Sequence, residues 1–206
     1  DGIRDSVASR GLGDVYKRQG IDNVAVGHTA LYNNTAGNNT AIGKGTLYAN
    51  TSGTYNTAVG KQALAANTTA NYNVALGVNT LRLNTTGSPN VAIGYNTLDA
   101  NDSGNNNIGI GLEALRYNVS GHNNVAIGVD ALTASTTGFD NVAVGKLALA
   151  TNVDGGDNVS VGMESLVNNS SGGRNTAVGS RAMYLNATGG KISITEGKGG
   201  RGLLPS

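Results

Sequence analysis

The chain has 206 residues, a formal net charge of +1, no Cys, no Trp and a single Phe, and 32 of its residues are Gly. A hydrophobic content of 38% with so few aromatics excludes a large aromatic core, and the glycines lack the strict triplet spacing of collagen. Without Cys there are no disulfides, no thiolate metal sites and no Cys nucleophile, and no apolar run approaches the ~18 residues of a membrane span.

The first nineteen residues stand apart. "SRGLGDVYKRQ", Ser9 to Gln19, resembles the conceptual translation of a transposon end used to prepare sequencing libraries. Residues 1–19 are therefore read as adapter-derived, expected to be disordered, and left out of fold reasoning. Setting them aside removes four Lys/Arg and three Asp/Glu and brings the net charge to 0. No basic footprint for nucleic acid or membrane is left. No apolar stretch at the start resembles a signal peptide, so any export signal is expected outside this sequence.

From residue 20 to residue 189 the sequence repeats itself ten times. Gly27, Gly43, Gly60, Gly77, Gly94, Gly111, Gly128, Gly145, Gly162 and Gly179 are separated by one interval of sixteen residues and eight of seventeen. Four residues before each glycine stands an Asn: Asn23, Asn39, Asn56, Asn73, Asn90, Asn107, Asn124, Asn141, Asn158 and Asn175. Between Asn and Gly come Val, Ile or Thr, then a small residue, then Val, Ile or Leu. Four residues after the glycine stand Leu31, Leu47, Leu64, Leu81, Leu98, Leu115, Leu132, Leu149 and Leu166, with Met183 in the tenth copy. Seven after comes Asn, except at Ser135, and ten after comes Gly, except at Ala70.

The β-branched, small, aliphatic alternation predicts a three-residue strand that sends its bulky pair to one face and Asn, Ala and Gly to the other. The bulky rows are expected to fill a core, and the small row to face outward, where another backbone can come close. The motif glycine and the Asn-x-[Ser/Thr]-Gly cluster are expected at corners that need left-handed backbone. Segments such as "GLEALRYN" leave open whether the leucine side is a helical turn or a second strand. A unit of seventeen residues cannot bury its own aliphatics, so it must stack on its neighbours. The expected fold is all-β, a parallel β-solenoid or β-roll of about ten coils, with the motif Asn forming a ladder, the motif Gly the corners and the Leu/Met row the core.

The unit "NTAVGKQALAANTTANYN", residues 56–73, resembles the Asn-Thr-Ala-[Val/Ile]-Gly repeats of phage tail fibres and large bacterial surface proteins. It is more distantly similar to the head repeats of trimeric autotransporter adhesins. The resemblance implies an extracellular rod, homotrimeric about a fibre axis, serving as shaft or adhesive surface with a host receptor or polysaccharide as partner. The chain is expected to be no enzyme and to need no cofactor or metal. The rival reading is a monomeric solenoid that binds ice or another ligand, for which a Thr row would be wanted; only Thr40, Thr57 and Thr176 supply it. A carbohydrate-active site would need clustered carboxylates, and Asp99, Asp102 and Glu113 are scattered along the sequence.

Individual chemistry-bearing residues fit corner or solvent roles. His28 and His122 hold different repeat positions, "DGGD" at 154–157 lacks the phased Asp of a calcium β-roll, and Lys44, Lys61 and Lys146 make no continuous stripe. Asn67-Thr68-Thr69 and Asn84-Thr85-Thr86 fit the glycosylation pattern, but turns want the same residue types. After Gly189 the pattern gives way to "ISITE", so residues 190–206 are expected to be an irregular, poorly packed tail with Ile192 outside the Asn row.

Overall fold

The computed structural model describes residues 20–195; the adapter-like residues 1–19 and the tail from 196 onward lie outside the described residues. All regular structure in the described chain is β. The strands are β1 (Val24–Val26), β2 (Thr40–Ile42), β3 (Thr57–Val59), β4 (Val74–Leu76), β5 (Asn90–Ile93), β6 (Asn107–Ile110), β7 (Val125–Ile127), β8 (Val142–Val144), β9 (Val159–Val161), β10 (Thr176–Val178) and β11 (Ser193–Ile194). They form one parallel sheet in sequence order, each strand pairing with the next. The register puts like on like: Ala58 lies beside Ala75, and Asn90 beside Asn107. This is a parallel β-solenoid, and at ~4.8 Å between strands its ten steps span roughly 48 Å.

The faces of the strands are the reverse of the sequence expectation. Ala41, Ala58, Ala75, Ala92, Ala126, Ala143 and Ala177 point inward and are buried, whereas the Val, Ile and Thr on either side of them are half-buried or exposed. The bulk of the core comes from the opposite wall, where Leu47, Leu64, Leu81, Leu98, Leu115, Leu132, Leu149 and Leu166 are fully buried. A coil of seventeen residues encloses a narrow space. A leucine reaching across it leaves room for little more than a methyl group. Gly109 marks that limit: a Cβ there would stand 2.7 Å from Thr97 Cγ2 and 3.4 Å from Leu98 Cδ1. Where Ser160 replaces the alanine, its hydroxyl donates to the Ser165 carbonyl at 2.7 Å and the Ser165 hydroxyl donates to the Ala177 carbonyl at 3.1 Å, so the polar substitution is satisfied.

The leucine wall is neither helix nor strand. It is a succession of turns, with Ala63 N–H donating to the Gly60 carbonyl and Asn67 N–H to the Leu64 carbonyl, while alternate amides reach the neighbouring coils: Gln62 N–H donates to Lys44 on one side, Leu64 N–H to Thr80 on the other. Left-handed backbone recurs two and four residues after the glycine, at Gln62 (φ 58°) and Leu64 (φ 50°) and at their equivalents in other coils. Such residues interrupt a helix and cost about 1–2 kcal/mol each, offset here by the burial of leucine and by the coil-to-coil bonds. The second glycine, replaced in one unit by Ala70, is favoured by close approach rather than by φ, since a Cβ on Gly121 would overlap Asn118 Oδ1 and the Gly138 carbonyl oxygen unless they shift.

The repeat also runs further than expected. Ile192 occupies the Asn row, its N–H donating to Asn175 Oδ1 at 3.3 Å, and β11 continues the register with Ser193 beside Thr176 and Ile194 beside Ala177. The irregular tail therefore does not begin at 190. Ile192 and Ile194 pack partly buried against the core, where their larger side chains cover its last described layer. Backbone pairing with β10 holds this strand although its side chains depart from the motif.

Candidate functional site: the interior columns and outer rows

Two columns of Asn run along the described coils. In the motif column each Asn receives the backbone N–H of the Asn one coil later: Asn107 N–H donates to Asn90 Oδ1 at 2.9 Å, and Asn124 N–H to Asn107 Oδ1 at 3.0 Å. The same bond links every step from Asn23 to Asn175. From Asn39 onward these side chains are fully buried. The second column, seven residues after the glycine, is Asn34, Asn50, Asn67, Asn84, Asn101, Asn118, Ser135, Asn152, Asn169 and Asn186. It joins amide to amide, as from Asn101 Nδ2 to Asn84 Oδ1 and from Asn118 Nδ2 to Asn101 Oδ1, both at 2.7 Å. Except in the coil of Ser135, the two columns meet on one acceptor: the Gly121 carbonyl takes Asn107 Nδ2 at 2.8 Å and Asn118 Nδ2 at 3.1 Å.

The motif glycines sit at φ from 123° to 141°, a region open only to Gly, and they stack so closely that a Cβ on Gly43 would stand 2.7 Å from the Gly60 carbonyl oxygen. Met183 closes the leucine row and is buried, and Leu31 opens it at the margin of burial. Asn67 and Asn84 belong to the second column and are buried, so those two glycosylation patterns are corner chemistry. In "DGGD" the Gly155 carbonyl accepts from Asn141 and Asn152, and Asp157 faces Arg174 at 3.8 Å. Among the described residues no group of three or more His, Cys, Asp or Glu could hold a metal ion.

Outer residues pair along the solenoid axis because equivalent positions are one strand spacing apart. Tyr55 stacks on Tyr72 with ring centroids 5.2 Å apart, and His122 on Phe139 at 5.6 Å. Such rings face each other and offer solvent their edges. Arg82 grips Asp99 with bonds of 2.8 and 3.1 Å, and Arg181 holds Glu164 at 2.7 Å. The hydrogen bond to Asp99 raises the Arg82 pKa above its ordinary value against the opposing effect of burial. Each of these carboxylates has a guanidinium partner, which suits a structural ladder better than acid–base work.

The outward face of the sheet is apolar, and the sequence reading placed it inside. On β1 to β10 the two outward rows carry twenty side chains, of which Thr40, Thr57 and Thr176 are the only ones not aliphatic. Val24, Val26, Ile42, Ile93, Ile108, Ile127 and Val178 are exposed and the others half-buried. Compared with known protein families, with curated proteins and with solved structures, the chain matches none.

Proposed function

We propose that this chain is a segment of an extracellular structural or adhesive fibre, a phage tail-fibre shaft or a bacterial surface adhesin, assembled as a homotrimer and without catalytic activity. The observation that carries the reading is the uninterrupted register of β1 to β11, in which every coil templates the next through backbone pairing and through the motif Asn column. An element built this way holds whatever lies at its two ends at a fixed separation. Spin labels at Val26→Cys and Val178→Cys, diluted with unlabelled protein, should give one narrow distance of about 43 Å, for nine steps of ~4.8 Å, unchanged in 1 M salt. A broad or salt-dependent distribution would remove the spacer function. A receptor or polysaccharide would be met by the polar outer rows and spread over several coils, which binding to a glycan array would report.

A second reading, a monomeric ice-binding surface, draws on the regular outward rows of the sheet. Thermal hysteresis in a solution of the monomer would favour it over the fibre.

A further inference from the structure

The outward face of the sheet is too large and too apolar to be an ordinary exposed surface. Seventeen of its twenty side chains on β1 to β10 are aliphatic and none is charged. The row just past the motif glycine is mixed: Val78, Tyr95, Leu112, Val129 and Met163 are exposed there, among His28, Lys44, Lys61, Lys146 and Ser180. With roughly 50 Å² accessible per side chain, the two sheet rows alone offer on the order of 1,000 Å². The largest apolar patch of a typical monomer is about 300–600 Å², and a stable interface takes about 800 Å² from each partner. The two sheet rows themselves carry no charge: Lys44, Lys61 and Lys146 stand on the flanking row past the glycine, Arg82 with Asp99 and Glu164 with Arg181 lie beyond the corner on the turn wall, and Asp157 with Arg174 on the other side of the buried Asn column.

We propose that this face is the contact between copies of this chain, with the outward Val and Ile rows of one sheet packed on those of another. The occupant is a second copy because the face is complementary to itself. Its rows repeat once per coil, so the ridges on one copy match the grooves on another over the whole length, and the two sheet rows bring no charge into the contact, the flanking Lys44, Lys61 and Lys146 lying at its rim. The inference deepens the fibre reading by naming the surface through which its copies meet. It also replaces the small-residue strip, whose Asn and Ala are inside the solenoid from Asn39 onward and leave only its half-buried glycines at the surface.

The test uses the full chain. Light scattering after size exclusion should find a dimer or trimer for the wild type. The triple variant Ile93→Lys, Ile110→Lys, Ile127→Lys should be a monomer with an unchanged far-UV spectrum, while Leu83→Lys with Tyr117→Lys on the turn wall should keep the oligomer. The chain has no Cys, so a single cysteine reports contact even if the triple variant fails to fold. Ile108→Cys on the central strand β6 should be cross-linked to a second chain by mild oxidant at least tenfold faster than Tyr117→Cys. A monomeric wild type at millimolar concentration overturns the proposal, as does an oligomer that survives the lysines or cross-links equally at both positions. The last two results would leave the fibre reading intact, with its contact elsewhere, and the spin-label distance tests that reading separately.

Discussion

The two Asn columns are made of the same side chain, lie in the same narrow interior and share one backbone carbonyl in every coil but that of Ser135, yet they differ in what they hold. The motif column takes a backbone N–H into each amide oxygen, so it fixes the register of one coil on the next. The second column joins side chain to side chain and braces a corner whose register is already set. The sequence tolerates the two differently. The motif column is unbroken from Asn23 to Asn175, while the second is interrupted by Ser135, where Asn118 Oδ1 and Ser135 Oγ are both buried and have no hydrogen-bond partner. An interruption in the first column would strand a backbone amide, and one in the second strands only side-chain atoms.

The largest effect should come from breaking both columns at the acceptor they share. Gly121→Val would drive its side chain into Asn118 Oδ1 and the Gly138 carbonyl. Ala70 occupies the equivalent place in another coil, so a single methyl can be accommodated and the bulkier residue is the decisive test. A loss of more than ~4 kcal/mol is expected. Hydrogen exchange should show the coils on both sides opening together, because neighbouring coils are each other's template. Exchange confined to one turn would contradict the shared-acceptor account.

Breaking the motif column alone should come next. Asn107→Ala removes the acceptor of Asn124 N–H and leaves that amide buried without a partner, for an expected loss of about 3 kcal/mol. The equivalent change in the second column, Asn101→Ala, should cost less, about 2 kcal/mol. There the Gly104 carbonyl keeps its bond from Asn90 and Asn118 Nδ2 keeps Gly121, so Asn84 Oδ1 is the main casualty. Urea unfolding of the two variants side by side decides the order, and equal losses would mean that the columns do the same work.

Much of this arrangement could be read from the repeat. The period, the parallel stacking, the Asn ladder, the glycine corners and the leucine row follow from residues that recur at fixed spacing. The direction of the strand faces could not be read, because alternation says that two faces differ and does not say which is inside. That depends on Leu64 and its equivalents reaching across from a wall whose backbone is unusual. Its left-handed residues, among them Gln62, Glu113, Leu147 and Arg181, share no turn chemistry, since their conformation is imposed by bonds to neighbouring coils. The second column was visible as nine Asn in ten copies but resembled ordinary turn composition. Ile192 escaped the motif because backbone pairing recruits a strand regardless of its side chains.

The smallest effect, and the one of opposite sign, is repair. Ser135 is too short to reach Asn118, and Asn152 Nδ2 on its other side bonds only to the Gly155 carbonyl. An asparagine at 135 would donate to Asn118 Oδ1 and to the Gly138 carbonyl and would accept from Asn152, completing the column in the geometry of the coils above and below. Each net hydrogen bond contributes about 1 kcal/mol, and relief of the two unpartnered atoms adds to it, against the side-chain entropy of a longer residue. Ser135→Asn should therefore stabilise the chain by about 1–2 kcal/mol, with slower amide exchange concentrated between Asn118 and Asn152. Ser135→Ala removes the stranded hydroxyl but leaves Asn118 Oδ1 unpaired, and it should gain less than the asparagine. If alanine stabilises as much as asparagine, relief of a buried hydroxyl is the whole effect and the continuity of the second column contributes nothing.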